Sequence, residues 1–243
     1  MHVGRTRAAN LREEQINRSA HKSGSAVLWR LAAFAVIAVL CGGHRAAGQA
    51  QPDSAELVRR VDDHYNHLRT LRARYIEQYA GMGLTRSESG TLTLKKPGLM
   101  RWSYDKPAGK VFVLDGHYAW FYTPGDAQVS RTPAKQLDDL RSPLRFLLGR
   151  TELAKELDMI ATVPEGASFK ITGIPKGMAQ RVRLLTLIVT PACVIQDMKI
   201  EETDGSTTDF TFSEIEENIA IPASDFVFTP PKGIPVVDGQ API

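Results

Sequence analysis

Apolar side chains recur at two different periods along the chain of 243 residues, and the change of period marks out its elements. From Asp53 the spacing is three and four. Leu57, Val58, Val61, Tyr65, Leu68 and Leu71 fall on one face of a helix, with Asp53 and Ser54 placed to cap its start. From Arg72 the spacing falls to two: Ala73, Tyr75 and Tyr79 alternate with polar positions, as do Leu92 and Leu94, and Gly81-Met82-Gly83 turns the chain between them. Further strands are expected at short intervals, giving a set near 72–80, 86–95, 99–104, 110–115, 117–122, 126–131, 159–164, 168–173, 180–190, 194–203, 206–213 and 226–229. The dipeptides Pro97-Gly98, Asp115-Gly116, Pro124-Gly125 and Asp204-Gly205 divide them. Strands joined by hairpin-length turns imply a strongly curved antiparallel sheet or barrel. One helical stretch interrupts them, where Ser142-Pro143 supplies a cap and a first-turn proline and Leu140, Leu144, Leu147 and Leu148 form a stripe before Gly149. Leu153 and Leu157 extend it by a second helical turn. A helix with one apolar stripe must bury it, so both helices are expected across the concave face of the sheet, in a single domain over 51–243.

The first 50 residues follow neither period. Leu31 to Cys41 is an unbroken apolar run after Arg30, followed by Gly42-Gly43 and the small-residue stretch Ala46-Ala47-Gly48-Gln49-Ala50. This reads as a secretory signal over 1–50, cleaved after Ala50, and the length of the polar stretch before it places the true start near Val27. The run is shorter than the roughly 18 residues that span a bilayer. Leu40 stands before Cys41, where a lipid-attachment motif wants a small side chain, so a soluble exported protein is expected rather than an anchored one. Cleavage leaves Cys193 alone, with no partner for a disulfide within the chain. It also changes the charge. The segment carries seven of the 30 Lys and Arg and two of the 27 Asp and Glu, so the remainder has 23 basic against 25 acidic residues. The formal net charge of +3 therefore belongs to the leader and makes no case for nucleic acid.

Composition, at 43% hydrophobic and 23% charged, is that of a globular protein and excludes a disordered chain or one with many membrane spans. Candidate chemistry is sparse. No HExxH, no phosphate-cradling glycine loop and no cysteine pair at metal spacing occurs. Asp63, His64 and His67 share a helix face, but no fourth ligand is indicated, and a solvated face accounts for them. The doublets Asp62-Asp63, Asp138-Asp139, Glu201-Glu202 and Glu216-Glu217 read as surface charge. No metal, cofactor or enzymatic activity is expected. What stands out is Leu99 to Tyr122, where Leu99, Met100, Trp102, Tyr104, Val111, Phe112, Val113, Leu114, Tyr118, Trp120, Phe121 and Tyr122 make successive strands apolar on both faces. Such a stretch is either an ordinary sandwich core or the wall of a ligand cavity.

The same stretch carries a resemblance. Leu94 to Trp102 (LKKPGLMRW), then Tyr104, Pro107, Val111 to Gly116, Trp120-Phe121-Tyr122 and Gln128-Val129, resembles the LolA family of outer-membrane lipoprotein carriers. So do Ser142-Pro143-Leu144 with Leu147-Leu148, and Asp204-Gly205, Phe212, Asn218, Ile221-Pro222, Phe226, Phe228, Pro230-Pro231, Gly233 and Val236. The resemblance implies a mainly β fold, an incomplete antiparallel β-barrel whose open side is covered by helices and encloses a hydrophobic cavity. Leu99, Met100, Trp102, Val111, Val113 and Trp120 are the candidate walls, and Leu144, Leu147 and Leu148 the candidate lid, although alternation alone leaves open which side chains face inward. Lys96 stands where the family commonly has an arginine that ties the lid by hydrogen bonds; lysine lacks the planar fork and makes a weaker latch. Met100 offers a flexible side chain suited to changing partners.

The implied function is that of a monomeric periplasmic carrier, which receives acylated lipoproteins from an inner-membrane lipoprotein-releasing ABC transporter and delivers them to an outer-membrane acceptor. Each acyl CH₂ exposed to water costs about 0.8 kcal/mol, so such cargo needs a cover. Two other readings keep the barrel: binding another lipid or a glycolipid, and sensing lipidated or misfolded envelope proteins. An enzyme of this shape would need polar groups converging inside it, and the sequence indicates none.

Overall fold

A computed structural model of the chain describes residues 53–139 and 152–239. The expected signal segment over 1–50 and the stripe containing Leu144, Leu147 and Leu148 lie outside the described residues.

Helix α1 (Ser54–His67) buries Leu57, Val58, Val61 and Tyr65 at the spacing the sequence predicts. Its start differs from expectation. Neither expected cap closes it with a side chain: the helix opens on the backbone bond from Leu57 N to Asp53 O, at 2.9 Å, and the Ser54 hydroxyl meets Thr162 Oγ1 at 2.6 Å instead.

The strands follow as β1 (Thr70–Gly81), β2 (Leu84–Lys95), β3 (Leu99–Lys106), β4 (Val111–Asp115), β5 (Tyr118–Tyr122) and β6 (Val129–Pro133). Two short helices, α2 (Ala134–Asp139) and α3 (Leu153–Glu156), come next. Then come β7 (Leu157–Glu165), β8 (Ser168–Pro175), β9 (Val182–Val189), β10 (Ile195–Glu202), β11 (Thr207–Glu217), a 3₁₀ turn at Ala223–Phe226, and β12 (Val236–Asp238). The turn between β1 and β2 has Met82 at φ 50° and Gly83 at φ 74°, the paired left-handed conformation that suits a two-residue hairpin.

Twelve strands form one sheet in the order β12-β6-β5-β4-β3-β2-β1-β11-β10-β9-β8-β7. Consecutive strands pair as hairpins from β1 to β6 and again from β7 to β11, and the two runs meet where β1 pairs with β11. The end strands, β7 and β12, do not pair with each other, so the sheet is unclosed. Three details depart from the sequence reading. The pairing of β12 with β6 is parallel, the single exception among the described pairs to the antiparallel rule. Residues 226–229 are not a strand; Phe226 ends the 3₁₀ turn and is buried. Leu157 starts β7 rather than extending a helix, because the α3 turn ends one residue before it.

The core lies between α1 and one face of the sheet, called here the inner face. It joins Leu57, Val58, Val61 and Tyr65 of α1 to Leu71, Ala73, Tyr75, Leu92, Leu94, Met100, Trp102, Leu114, Leu185, Leu187, Met198, Phe210 and Phe212. The hydrophobic cavity that the resemblance implies is not seen among the described residues. The inner face is filled by its own side chains.

Candidate functional site

Pleating decides which expected wall residues can share a surface, because consecutive side chains of a strand point to opposite faces. Met100 and Trp102 face inward: Met100 stands opposite Leu94 and Leu114, Trp102 opposite Leu92 and Phe112, and both join the core under α1. Trp102 anchors an aromatic group. Its ring lies 4.7 Å from that of Tyr75, edge-on at 74°, and 5.5 Å from Phe210, which stacks on Phe212 at 6.2 Å. The indole N–H points at Met100 Sδ, 3.1 Å away. This surface, apolar and rich in adaptable contacts, is the strongest candidate for holding an apolar ligand.

Leu99, Val111, Val113 and Trp120 stand on the outer face, and this corrects the expectation that they line one wall with Met100 and Trp102. Val113 pairs with Arg101 and Trp120, and Leu99 with Lys95 and Asp115. Their burial has a different origin, since the C-terminal segment crosses that face. Arg101 Nη1 donates to the carbonyls of Asp225 and Val227, at 3.2 and 3.4 Å, and Lys95 Nζ to that of Ile221 at 2.7 Å. The Trp120 ring lies 5.7 Å from Phe228, and its N–H donates to Asp115 Oδ2 at 2.7 Å.

Lys96 is placed between β2 and β3, with its Nζ donating to the carbonyl of Tyr65 in the last turn of α1. Burial depresses its pKa to about 8, which leaves it charged at neutral pH. The Tyr65 side chain holds a second element, its Oη accepting from Ile195 N at 3.0 Å. His64 Nε2 lies 2.8 Å from Glu217 Oε1, so α1 is tied to β11 as well. At the other side of the helix the buried Asp62 accepts from Leu153 N at 2.7 Å. Burial raises its pKa to about 6, against the lowering effect of the Leu153 and Ala154 amides. A cleft of about 620 Å³ beside α1 and α3 has a mixed lining, with Arg59, Asp62 and Glu152 next to Val58, Ala154 and Ile160.

The face with Asp63, His64 and His67 is committed to other bonds. Arg59 holds Asp63 at 2.5 Å, and His67 Nδ1 lies 2.7 Å from the Asp63 carbonyl. Among the described residues no group of three His, Cys, Asp or Glu is arranged to hold a metal ion.

Residues 66–229 match the family model described as "Outer membrane lipoprotein carrier protein LolA". The chain belongs to the LolA family. An outer-membrane lipoprotein carrier protein of Dechloromonas aromatica is 31% identical over 186 residues, covering 75% of this chain and 88% of that protein. One from Chromobacterium violaceum is 29% identical over 195 residues, covering 80% and 94%. Among solved structures, a LolA superfamily protein from Nitrosomonas europaea covers 73% of this chain and 99% of its own, at 11% identity and a TM-score of 0.41. Within this LolA-family chain, the inner-face residues that sequence reasoning did not single out as site residues are Tyr75, Phe210 and Phe212. Phe210 and Phe212 carry the period-two signal of a buried strand face, and Tyr75 was legible as alternation without a role.

Proposed function

We propose that the chain carries acylated lipoproteins across the periplasm, accepting them from an inner-membrane lipoprotein-releasing ABC transporter and yielding them to an outer-membrane acceptor. The observation that carries this reading is the family match across 66–229. The inner face supports it. There an unclosed sheet presents Leu92, Leu94, Met100 and Trp102, and α1 covers them through apolar packing and a few polar ties. Those ties include the Lys96, His64, Asp62 and Tyr65 bonds, the bond of Arg60 to the Pro191 carbonyl, and the contact of Ser54 with Thr162. A cover held this way separates from the sheet without breaking a strand ladder, and acyl chains replace the apolar contacts it gives up. Each buried CH₂ returns about 0.8 kcal/mol, so a multiply acylated ligand compensates for the opening. In this reading Leu144, Leu147 and Leu148 complete the cover and Lys96 is the latch. The segment 1–50 is the removed export signal. The carrier works as a monomer without cofactor or catalytic group.

The test uses the exported protein with inner-membrane vesicles that hold a labelled lipoprotein and its releasing transporter. On addition of ATP, the label is expected in a soluble one-to-one complex with the chain and then in outer-membrane vesicles. Label that stays with the inner membrane overturns the reading. A glycolipid or free lipid, rather than a lipoprotein, found on the periplasmic protein by native mass spectrometry favours the other lipid-binding role.

A further inference from the structure

The β1–β2 hairpin reaches past its neighbours in the sheet. On one side the pairing of β1 with β11 ends at Ala80 opposite Thr207, and on the other the pairing of β2 with β3 ends at Ser89 opposite Lys106. Met82 and Gly83 therefore lie beyond the last rung on both sides. None of residues 76–87 is buried, and a Cβ at Gly83 would find no neighbouring atom within 4 Å.

The side chains at this end are the reverse of what a solvated turn calls for. A two-residue hairpin turn with positive φ at both positions favours Asn-Gly or Asp-Gly, which accept the left-handed backbone at little cost. Here Met82 takes that conformation at φ 50° with 84% of its surface exposed, and Leu84 follows at 69%. Apolar surface is thus held in water at a position whose backbone disfavours a bulky residue. From Gln78 to Thr85 the hairpin carries no charge, over eight positions of a chain that is 23% charged. The first charge is Arg86, the register partner of Tyr79, whose ring its guanidinium overlies at 5.4 Å. Next come the ion pairs of Glu88 with Arg86 Nε, at 3.1 Å, and with Lys110 Nζ, at 2.5 Å. From the tip inward the order is apolar, then tyrosine with arginine, then paired charges. That is the order of side chains across a lipid headgroup layer, where aromatic rings and snorkelling arginines sit between the acyl chains and water.

We propose that this hairpin end is a shallow anchor for a phospholipid bilayer surface, with Met82 and Leu84 entering to the acyl boundary and Tyr79 and Arg86 staying among the headgroups. A bilayer fits the tip because the tip is convex, uncharged and led by an unbranched side chain, and needs no shaped pocket. About 13 Å of strand separates Met82 from Arg86, so the apolar tip reaches the boundary while the charges remain wet. Residues 84–88 have no strand beside them on the β3 side, and their edge groups keep the insertion within the polar layer. Ser206, beside Gly81, belongs to a turn that carries Asp204 and no cation, so the contact is apolar rather than electrostatic. Two side chains give weak, reversible binding. This inference stands apart from the carrier reading, since vesicles without lipoprotein test it.

The test is cosedimentation of the full exported chain with vesicles of phosphatidylethanolamine and a minority of phosphatidylglycerol. The wild type is expected to bind, with little change on adding salt. Met82→Asn should weaken binding about fivefold and yet melt no lower than the wild type, because asparagine accepts the left-handed backbone more readily. Met82→Ser combined with Leu84→Ser should weaken it by at least about tenfold. A wild type that stays in the supernatant, binding that salt abolishes, or a folded Met82→Asn protein that binds as the wild type does overturns the proposal. A lower Tm for Met82→Asn would make Met82 a packing residue and overturn it too. If the double variant does not fold, Met82→Asn alone decides.

Discussion

Lys96 completes a helix to which it does not belong. The last carbonyls of any α-helix have no partner within it, and a cation near them also suits the helix dipole. Tyr65 O is such a carbonyl, and Lys96 Nζ donates to it from the β2–β3 turn. Lys96→Met is expected to cost about 1–2 kcal/mol, measured as a lower Tm, and to speed amide exchange in the last turn of α1, whereas Lys96→Arg keeps the bond. The resemblance implies a bond from Lys96 to lid backbone; that the carbonyl of Tyr65 in α1 receives its Nζ was not legible in the sequence. Asp62 was misread, because in sequence it is half of an acidic doublet. Only the meeting of α1 with α3, 91 positions apart, turns one of the pair inward. Its pKa, raised to about 6 in the folded chain from an ordinary value near 3.8, makes the folded state bind more protons between those two values. Asp62 therefore favours folding most below about pH 4, and that contribution is lost as the pH rises through 6. Asp62→Asn keeps an acceptor for Leu153 N without the charge. It should be more stable than the wild type at pH 7.5, by about 1–2 kcal/mol after allowance for solvent screening, with the advantage gone by pH 4. A gap in Tm that does not change with pH would show that the carboxyl is not the titrating group.

Strands were legible as elements because alternation and turn dipeptides agree, as in β1 and β2 around Met82-Gly83. Their facing was not legible over β3 to β5. Leu99 to Tyr122 is apolar on both sides because both sides are covered, the inner by α1 and the outer by the segment around Phe226 and Phe228. No periodicity within a strand can separate two buried faces. β12 escaped notice for another reason. It has three residues, all exposed, and owes its existence to pairing with β6 rather than to its own pattern. One element contact makes a sharp demand on sequence. A Cβ at Gly90 would lie 2.0 Å from the Ser103 carbonyl oxygen, a backbone atom of β3 that cannot swing aside. Gly90→Ala should therefore cost about 2 kcal/mol or more and lower the Tm by at least about 4 °C. An unchanged melting curve would mean that β2 and β3 do not approach as described.

At the scale of the whole sheet, an unclosed ladder has two ends, and each end is a template for another chain. β7 is blunted by Pro164, by the left-handed backbone of Met159, which interrupts its register, and by Ser54 of α1 against Thr162. At the other end β12 shields β6, fastened by Val129 N to Pro235 O and by Arg131 to Asp238 at 2.8 Å. A chain stopped after Gly233 should expose the edge of β6 and self-associate in light scattering at concentrations where the full chain does not. A truncated chain that stays dispersed would show that the shield is unnecessary.

The β1–β11 seam also sets a schedule. Its partners are 127 residues apart at Ala80 and Thr207 and 146 apart at Leu71 and Glu217, whereas within each run neighbouring strands follow directly in sequence. Hairpins close quickly and distant pairings slowly, since the intervening chain must be ordered before they give anything back. A chain entering a compartment from its N-terminus presents β1 through β6 while the partner of β1 is still to arrive, and β1 waits as an edge until residue 217 follows. The rate at which this protein becomes native is then the rate at which two finished half-sheets find each other. Weakening the seam should slow refolding, while weakening β8–β9 should mainly quicken unfolding.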